Sequence, residues 1–302
     1  MSLAADVVRT PDERFAGLPG WPYAPRYRER EDGLRLAYVD EGPRDARAVV
    51  LSHGQPTWGY LWRKVAPPLL AAGLRVVVPD HLGFGRSDKP VDPGAYSYAD
   101  HAANLAALLD HLDLEDAAMV VHDWGGPIGL RAAVERPQRV GRLAIMDSGL
   151  LSGRQRMGDT WLAFRDHVRR TPELPVGQLV AAGCHRPPPA EVAAAYDAPF
   201  DGPRSQGGVH AFPELVPTDL DHPEAADHRR VWDAVAADER PLLALWAEHD
   251  VVFPLRRGRR FLATIGAPEP VVIEGAGHFL QEDRGPAIAG EIAGWLQAQG
   301  VL

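Results

Sequence analysis

The sequence predicts an α/β fold: a mostly parallel central sheet flanked by helices, with a helical insertion between two stretches of that sheet. Three observations predict it. Short apolar, β-branched runs recur along the chain, each followed by a polar turn and most by an amphipathic stretch. The runs are too apolar to alternate, as strands buried on both faces are. The alternation of strand and helix then stops between about Leu150 and Val231, where ten of the 28 prolines fall between Pro172 and Pro223.

Taken in order, Leu34–Val39 reads as part of an N-terminal hairpin. Ala48–Leu51, Leu74–Val78, Met119–Val121, Leu143–Met146, Leu242–Trp246 and Val271–Ile273 read as buried strands. Amphipathic stretches from Tyr98 to Leu112 and from Pro127 to Arg136 lie between them, the pattern of repeated βαβ units. Prolines at this density exclude long strands from the insertion, leaving short helices over Thr160–Arg170, Val176–Ala182 and Pro189–Tyr196. Residues 1–149 and 232–302 are therefore expected to form one core domain, and 150–231 a helical cap.

Composition removes several classes of function. The 302 residues carry 32 Lys+Arg against 41 Asp+Glu, a formal charge of −9, so no basic surplus exists for nucleic acid or an anionic membrane. A hydrophobic content of 45% with 24% charged residues is that of a globular protein. The single cysteine, Cys184, excludes an intrachain disulfide and a multi-cysteine metal site. Among twelve histidines there is no HExxH or HxH cluster, so neither a metal nor another cofactor is expected. Arg9, Asp12, Glu13 and Arg14 stand where a secretory leader needs an apolar stretch, and no apolar run approaches the roughly 20 residues of a membrane span. A cytoplasmic protein, acting as a monomer, is expected.

The strongest local signal is Val120-Val121-His122-Asp123-Trp124-Gly125-Gly126. A strand runs into an acid and two glycines and a helix starts at once, the setting of a nucleophile elbow with Asp123 in place of serine. Asp123 as an ordinary helix N-cap is the competing reading. Two more segments bear on the choice. Asp250 follows the strand Leu242–Trp246, and His278 follows Val271–Ile273. The order Asp123, Asp250, His278 is nucleophile, acid, histidine, the chain order of α/β-hydrolase sheets, with all three at strand C-terminal ends. The turn His53-Gly54-Gln55-Pro56 follows another strand and can aim the Gln55 N–H at an anion; with the Trp124 N–H it would form an oxyanion hole. His53 is expected to hold that loop. Gly83 and Gly85 are expected to shape a loop beside the site, since GxG without a third glycine does not specify a phosphate site.

The segments HGQPTWGYLWRKV, PDHLGFGRSDKP, VVHDWGG, YDAPF and GAGHFLQED together resemble the haloalkane dehalogenases of the α/β-hydrolase superfamily, over nearly the whole chain. The turn HDWGG is shared with epoxide hydrolases; HGxPTW with the cap segments TPELPVG and AYDAPF is more specific. The resemblance is greatest to the subfamily with the acid after the later strand and a pair of halide-binding tryptophans. It implies hydrolysis of haloalkanes to a primary alcohol and halide, with Asp123 as nucleophile, His278 as base, Asp250 as its partner and Trp124 as one halide ligand. The partners implied are a halogenated alkane, water and halide.

Two positions stay open. The second halide ligand is read as Trp161, although a gapless match places Phe164 there, and the Gln55 amide is a third possibility because a sister subfamily carries Asn at that position. The sister subfamily also takes its triad acid from the strand end occupied here by Asp147, which is otherwise read as a turn residue. Among rival activities, an epoxide hydrolase needs cap tyrosines as acids, and of seven tyrosines only Tyr196 lies in the cap. A serine esterase is excluded at Asp123, and a fluoroacetate dehalogenase would carry a basic residue where Trp124 stands. A non-catalytic ligand receptor on the same fold is the alternative from another class; such a protein usually lacks a triad member.

Overall fold

The computed structural model describes residues 6–302; the first five residues of the charged N-terminal segment lie outside them. In chain order the strands are β1 (Val7–Val8), β2 (Arg26–Glu29), β3 (Arg35–Glu41), β4 (Ala48–Ser52), β5 (Arg75–Pro79), β6 (Lys89–Pro90), β7 (Ala117–His122), β8 (Val140–Met146), β9 (Leu242–Ala247) and β10 (Val271–Ile273). Eight of them form one sheet in the order β10-β9-β8-β7-β4-β5-β3-β2, while β1 and β6 pair separately. The six strands from β10 to β5 run parallel, and the β2–β3 hairpin adds the antiparallel edge.

Every residue of β4, β5 and β7 is buried, the consequence of continuous apolar runs with helices on both faces. β8 starts three residues before its apolar run. Gly141 and Arg142 extend it, and Arg142 is held by an ion pair to Asp116 at 2.8 Å rather than by burial.

From β4 the chain moves to β5 on one side and, through β7, to β8, β9 and β10 on the other. The loops after β4 and β7 therefore diverge, leaving a crevice at the C-terminal ends of two adjacent strands. The register Ser52↔Val121 sets those strand ends level.

The helices of the core are α1 (Ala66–Ala71), α2 (Tyr98–His111) and α3 (Gly125–Glu135). Ser97 caps α2 by accepting the Asp100 N–H. Between β8 and β9 come α4 (Asp159–Arg170), α5 (Val176–Gly183), α6 (Ala190–Asp197), α7 (Gly207–Ala211) and α8 (Ala225–Ala236). The last of these runs through the expected domain boundary at 231/232 as one continuous helix. The chain closes with α9 (Leu255–Thr264) and α10 (Leu280–Ala298), which bends at Arg284 (φ −137°, ψ 26°), two residues before Pro286. No helix among the described residues is long and apolar enough to cross a membrane.

The junction of β4, β7 and α3 is packed backbone to backbone. A Cβ on Gly125 would lie 2.2 Å from the Ser52 carbonyl oxygen, and one on Gly126 1.8 Å from Ser148 Oγ. Gly125→Ala must move β4 against β7, so we expect it to lower unfolding free energy by about 1–3 kcal/mol, read as a lower urea midpoint at unchanged slope.

Candidate active site

Asp123 is the residue on which β7 turns into α3. Its φ of +50° is left-handed, a conformation that Asp tolerates better than most L-residues. The turn is held from two sides: the Asp123 carbonyl accepts the Gly126 N–H at 2.9 Å and the Ser148 hydroxyl at 2.6 Å. The capping reading fails here, because α3 opens at Trp124 with no side-chain cap. The Asp123 carboxylate turns the other way instead. Its Oδ1 accepts the Gln55 N–H at 2.7 Å, and the backbone N–H of Trp124 favours the ionised carboxylate. A Cβ on Gly54 would stand 2.2 Å from that oxygen, so only glycine allows the loop to come so near.

His53 holds this loop. Its Nε2 accepts the His81 N–H at 3.0 Å, so the ring hydrogen is on Nδ1, which donates to the Gly54 carbonyl at 2.9 Å. Burial, with His81 beside it, pushes its pKa well down and keeps the ring neutral.

His278 faces Asp123 from the loop after β10. Its Nδ1 donates to Asp250 Oδ2 at 2.8 Å, and its Nε2 lies 3.8 Å from Asp123 Oδ2. Asp250 is itself aimed: its Oδ1 accepts the N–H groups of Val252 (2.6 Å) and Phe253 (2.9 Å), leaving Oδ2 for the ring. The Phe253 ring stacks on the imidazole at 5.9 Å and 19°. Burial alone would push His278 down; the Asp250 charge and hydrogen bond, with help from Asp123, outweigh it and hold the pKa above its ordinary value. Asp250 is shifted oppositely, burial being overcome by His278 and the two amides. At Asp123 burial wins and the carboxyl is raised, against His278 and the amides of Trp124 and Gln55.

The structure thus brings together Asp123, Asp250, His278 and the N–H groups of Gln55 and Trp124. Asp147 is not joined to His278. It is fully buried, receives the Ala247 N–H at 3.0 Å, and is pushed well up by burial and by the charge of Asp250. Tyr196 is spent as well, its buried hydroxyl donating to Glu282.

The tryptophans part company. Trp124 is nearly buried, with Phe212 against its ring edge-on at 5.1 Å and His228 at 6.2 Å. Trp161 is half-buried on α4 with the Arg165 guanidinium 5.1 Å above its ring, and among the described residues no aromatic pair or hydrogen bond joins it to Trp124 or Asp123. Phe164, on the same helix, is also half-buried. The Gln55 amide donates to the Val209 carbonyl at 3.1 Å and keeps a second hydrogen. Phe212, His228 and Phe253 carry no sequence signal of their own, since only the folded chain brings them to Trp124 and His278.

An aspartate elbow, an acid–histidine pair and two convergent backbone donors on this sheet define a hydrolase site with a carboxylate at its centre. Residues 47–285 match the family described as the α/β hydrolase fold. A haloalkane dehalogenase from Mycobacterium marinum is 43% identical over 96% of this chain and 99% of its own, and one from Psychrobacter cryohalolentis is 38% identical over 94% and 95%. The solved haloalkane dehalogenase of Paraglaciecola agarilytica, described as tetrameric, superposes with a TM-score of 0.88 at 36% identity, covering 95% of this chain and 97% of that one. The chain belongs to the haloalkane dehalogenase family of the α/β-hydrolase fold.

The charge relation between Asp250 and His278 is open to direct measurement. An NMR titration of the His278 ring should show a midpoint above the ordinary 6.5. Asp250→Asn removes the charge that favours the imidazolium, so its midpoint should fall; equal midpoints would mean that Asp250 is not what holds the ring proton.

Proposed function

We propose that the chain hydrolyses haloalkanes to an alcohol and halide through an alkyl ester on Asp123. The observation that carries this reading is the division of labour between the two oxygens of that carboxylate. Oδ1 accepts the Gln55 amide at 2.7 Å, whereas Oδ2 faces His278 Nε2 at 3.8 Å. Oδ2 attacks the halogen-bearing carbon in line, the carbon–halogen bond breaks, and halide leaves with the bonding pair. Oδ1 is then already seated as the ester carbonyl oxygen in its oxyanion hole.

Alkylation also prepares the second step. The ester is neutral, so the Asp123 charge that helped hold the proton on His278 is gone, and the ring is released toward its neutral form. Neutral His278, oriented by Asp250, takes a proton from water as that water adds to the ester carbon. Collapse of the tetrahedral intermediate breaks the bond between the ester carbon and the alkyl oxygen. The leaving oxygen takes the proton back from His278 and departs as the alcohol, and the carboxyl left on Asp123 gives its proton to water and returns to the carboxylate.

For the departing halide, the indole N–H of Trp124 is the core donor, and an indole can donate without competing as an acid or acceptor. Trp161 is the proposed cap donor, with residues 150–231 acting as the cap, and Gln55 is its rival through its free amide hydrogen. An epoxide hydrolase is disfavoured, because the hydroxyl of Tyr196 is committed to Glu282. We place the activity in the cytoplasm on composition and propose a monomer because the triad is complete within one chain; light scattering tests the latter, the tetrameric relative being the contrary precedent.

The central test is halide release across brominated and chlorinated alkanes, with an epoxide alongside; epoxide opening without halide release would transfer the chain to the other chemistry. Asp123→Asn should abolish turnover. His278→Phe should retain alkylation and, with 1,2-dibromoethane, accumulate an ester visible by intact-mass spectrometry; an unmodified mass while the wild type turns over would remove His278 from the hydrolytic role.

The halide donors are separated by substitution. Trp161→Phe removes one N–H and should weaken bromide binding by about 1.5–3 kcal/mol, roughly ten- to hundredfold. Bromide quenching of tryptophan fluorescence reads this beside Gln55→Ala. Loss in Gln55→Ala alone would make Gln55 the partner of Trp124.

A further inference from the structure

The elbow that joins α5 to α6 presses on both loops of the acid–histidine pair. Asp283, in the first turn of α10, accepts three backbone N–H groups: Oδ2 takes those of Gly277 (2.9 Å) and His185 (2.8 Å), and Oδ1 that of Arg186 (2.9 Å). Gly277 is the residue before His278. No side chain fits there, since a Cβ would lie 2.6 Å from the Gly183 carbonyl oxygen and 2.7 Å from the His185 nitrogen. On its other side the elbow reaches the acid: the His185 ring stacks on His249, the residue before Asp250, at 4.5 Å and 16°. His249 is tied back by its N–H to the Ala276 carbonyl at 3.0 Å. Residues 183–186, 249–250 and 276–278 are therefore tied together, with Asp283 as the acceptor shared by the first and the last of these segments.

We propose that Asp283 is a positioning residue for the hydrolytic half of the reaction, locking the His278 loop to the cap elbow. The proposal rests on the reading of His278 as the base. Its selectivity follows from what each half-reaction needs. Alkylation uses Asp123, which is placed by Ser148, Gly126, Gln55 and Trp124, none of them in the elbow. Hydrolysis needs a water held between His278 and the ester carbon, so loss of the lock disturbs that geometry alone. The bend at Arg284 separates this first turn from the rest of α10, so the carboxylate's three bonds set the local geometry.

Single-turnover kinetics with 1,2-dibromoethane separate the two halves, halide release reporting alkylation and alcohol formation reporting hydrolysis. Asp283→Ala should leave alkylation within about twofold of wild type and slow hydrolysis about tenfold or more, with ester accumulating by mass. His185→Ala keeps every hydrogen bond and removes only the ring stack on an exposed surface. It should slow the same half by roughly two- to threefold, and it carries the test if Asp283→Ala does not fold. Proportional loss in both halves, or unchanged hydrolysis in both variants, overturns the positioning role. A wild type that releases no halide from any substrate overturns the haloalkane reading and this proposal with it.

Discussion

A carboxylate can act as a nucleophile only through an oxygen that nothing else has claimed. In this chain the fold separates the two oxygens of Asp123 by placing that residue in a left-handed turn between two level strand ends. The φ of +50° swings the side chain over the β4 loop, where the Gln55 amide meets Oδ1, and leaves Oδ2 toward His278. Such a conformation costs on the order of 1–3 kcal/mol and persists only where its surroundings over-determine it. Here the surroundings are Gly54, Gly125 and Gly126, each placed where a Cβ would strike the carboxylate, the β4 backbone or Ser148. The glycines, the level register of β4 and β7, and the divergence of their loops are thus one requirement met at three levels of structure.

Electrostatics extend the same constraint. Three buried carboxyls, Asp123, Asp147 and Asp250, follow the ends of β7, β8 and β9, with the His278 imidazole between Asp123 and Asp250. One cation cannot support three buried anions, so the charge goes where hydrogen-bond donors are most numerous. Asp250 has two amides and the His278 ring; Asp147 has one amide and the repulsion of Asp250, which pushes its proton affinity up. The sequence offers two acids at neighbouring strand ends, and the number of donors around each settles which one orients His278.

The sheet was legible in the sequence because strands buried on both faces must be continuous apolar runs, and six apolar runs became β4, β5 and β7–β10, although β10, at the sheet edge, buries only Ile273 and leaves Val271 exposed. The cluster of Asp123, Asp250 and His278 was legible because chemistry on an open sheet is confined to strand ends, so each of the three stood next to a run that could be recognised. The starts of β8 and α3 were less so: Arg142 is satisfied by an ion pair and Gly125 by close packing, neither of which leaves a periodic trace. The roles of Phe212, His228 and Asp283 were not legible. Phe212 and His228 reach Trp124, and Asp283 reaches the His185 amide, across more than fifty residues of chain through contacts with no local pattern.

The unequal legibility of the two proposed halide donors has a physical origin in how each is anchored. Trp124 is the residue after the elbow, so the backbone that places Asp123 places it too, and the motif that reveals one reveals both. Trp161 belongs to α4, a helix of twelve residues in which only Val168 is buried. A helix held by so few buried side chains sits at the low-stability end of a fold, and its register is set by tertiary contacts that sequence periodicity does not encode. In the proposed reaction the halide therefore departs between a donor fixed by the core and a donor carried on a lightly anchored cap helix. The fixed donor defines where the carbon–halogen bond must lie relative to Asp123 Oδ2, whereas the cap donor can follow halides of different radius and chains of different length without disturbing the line of attack.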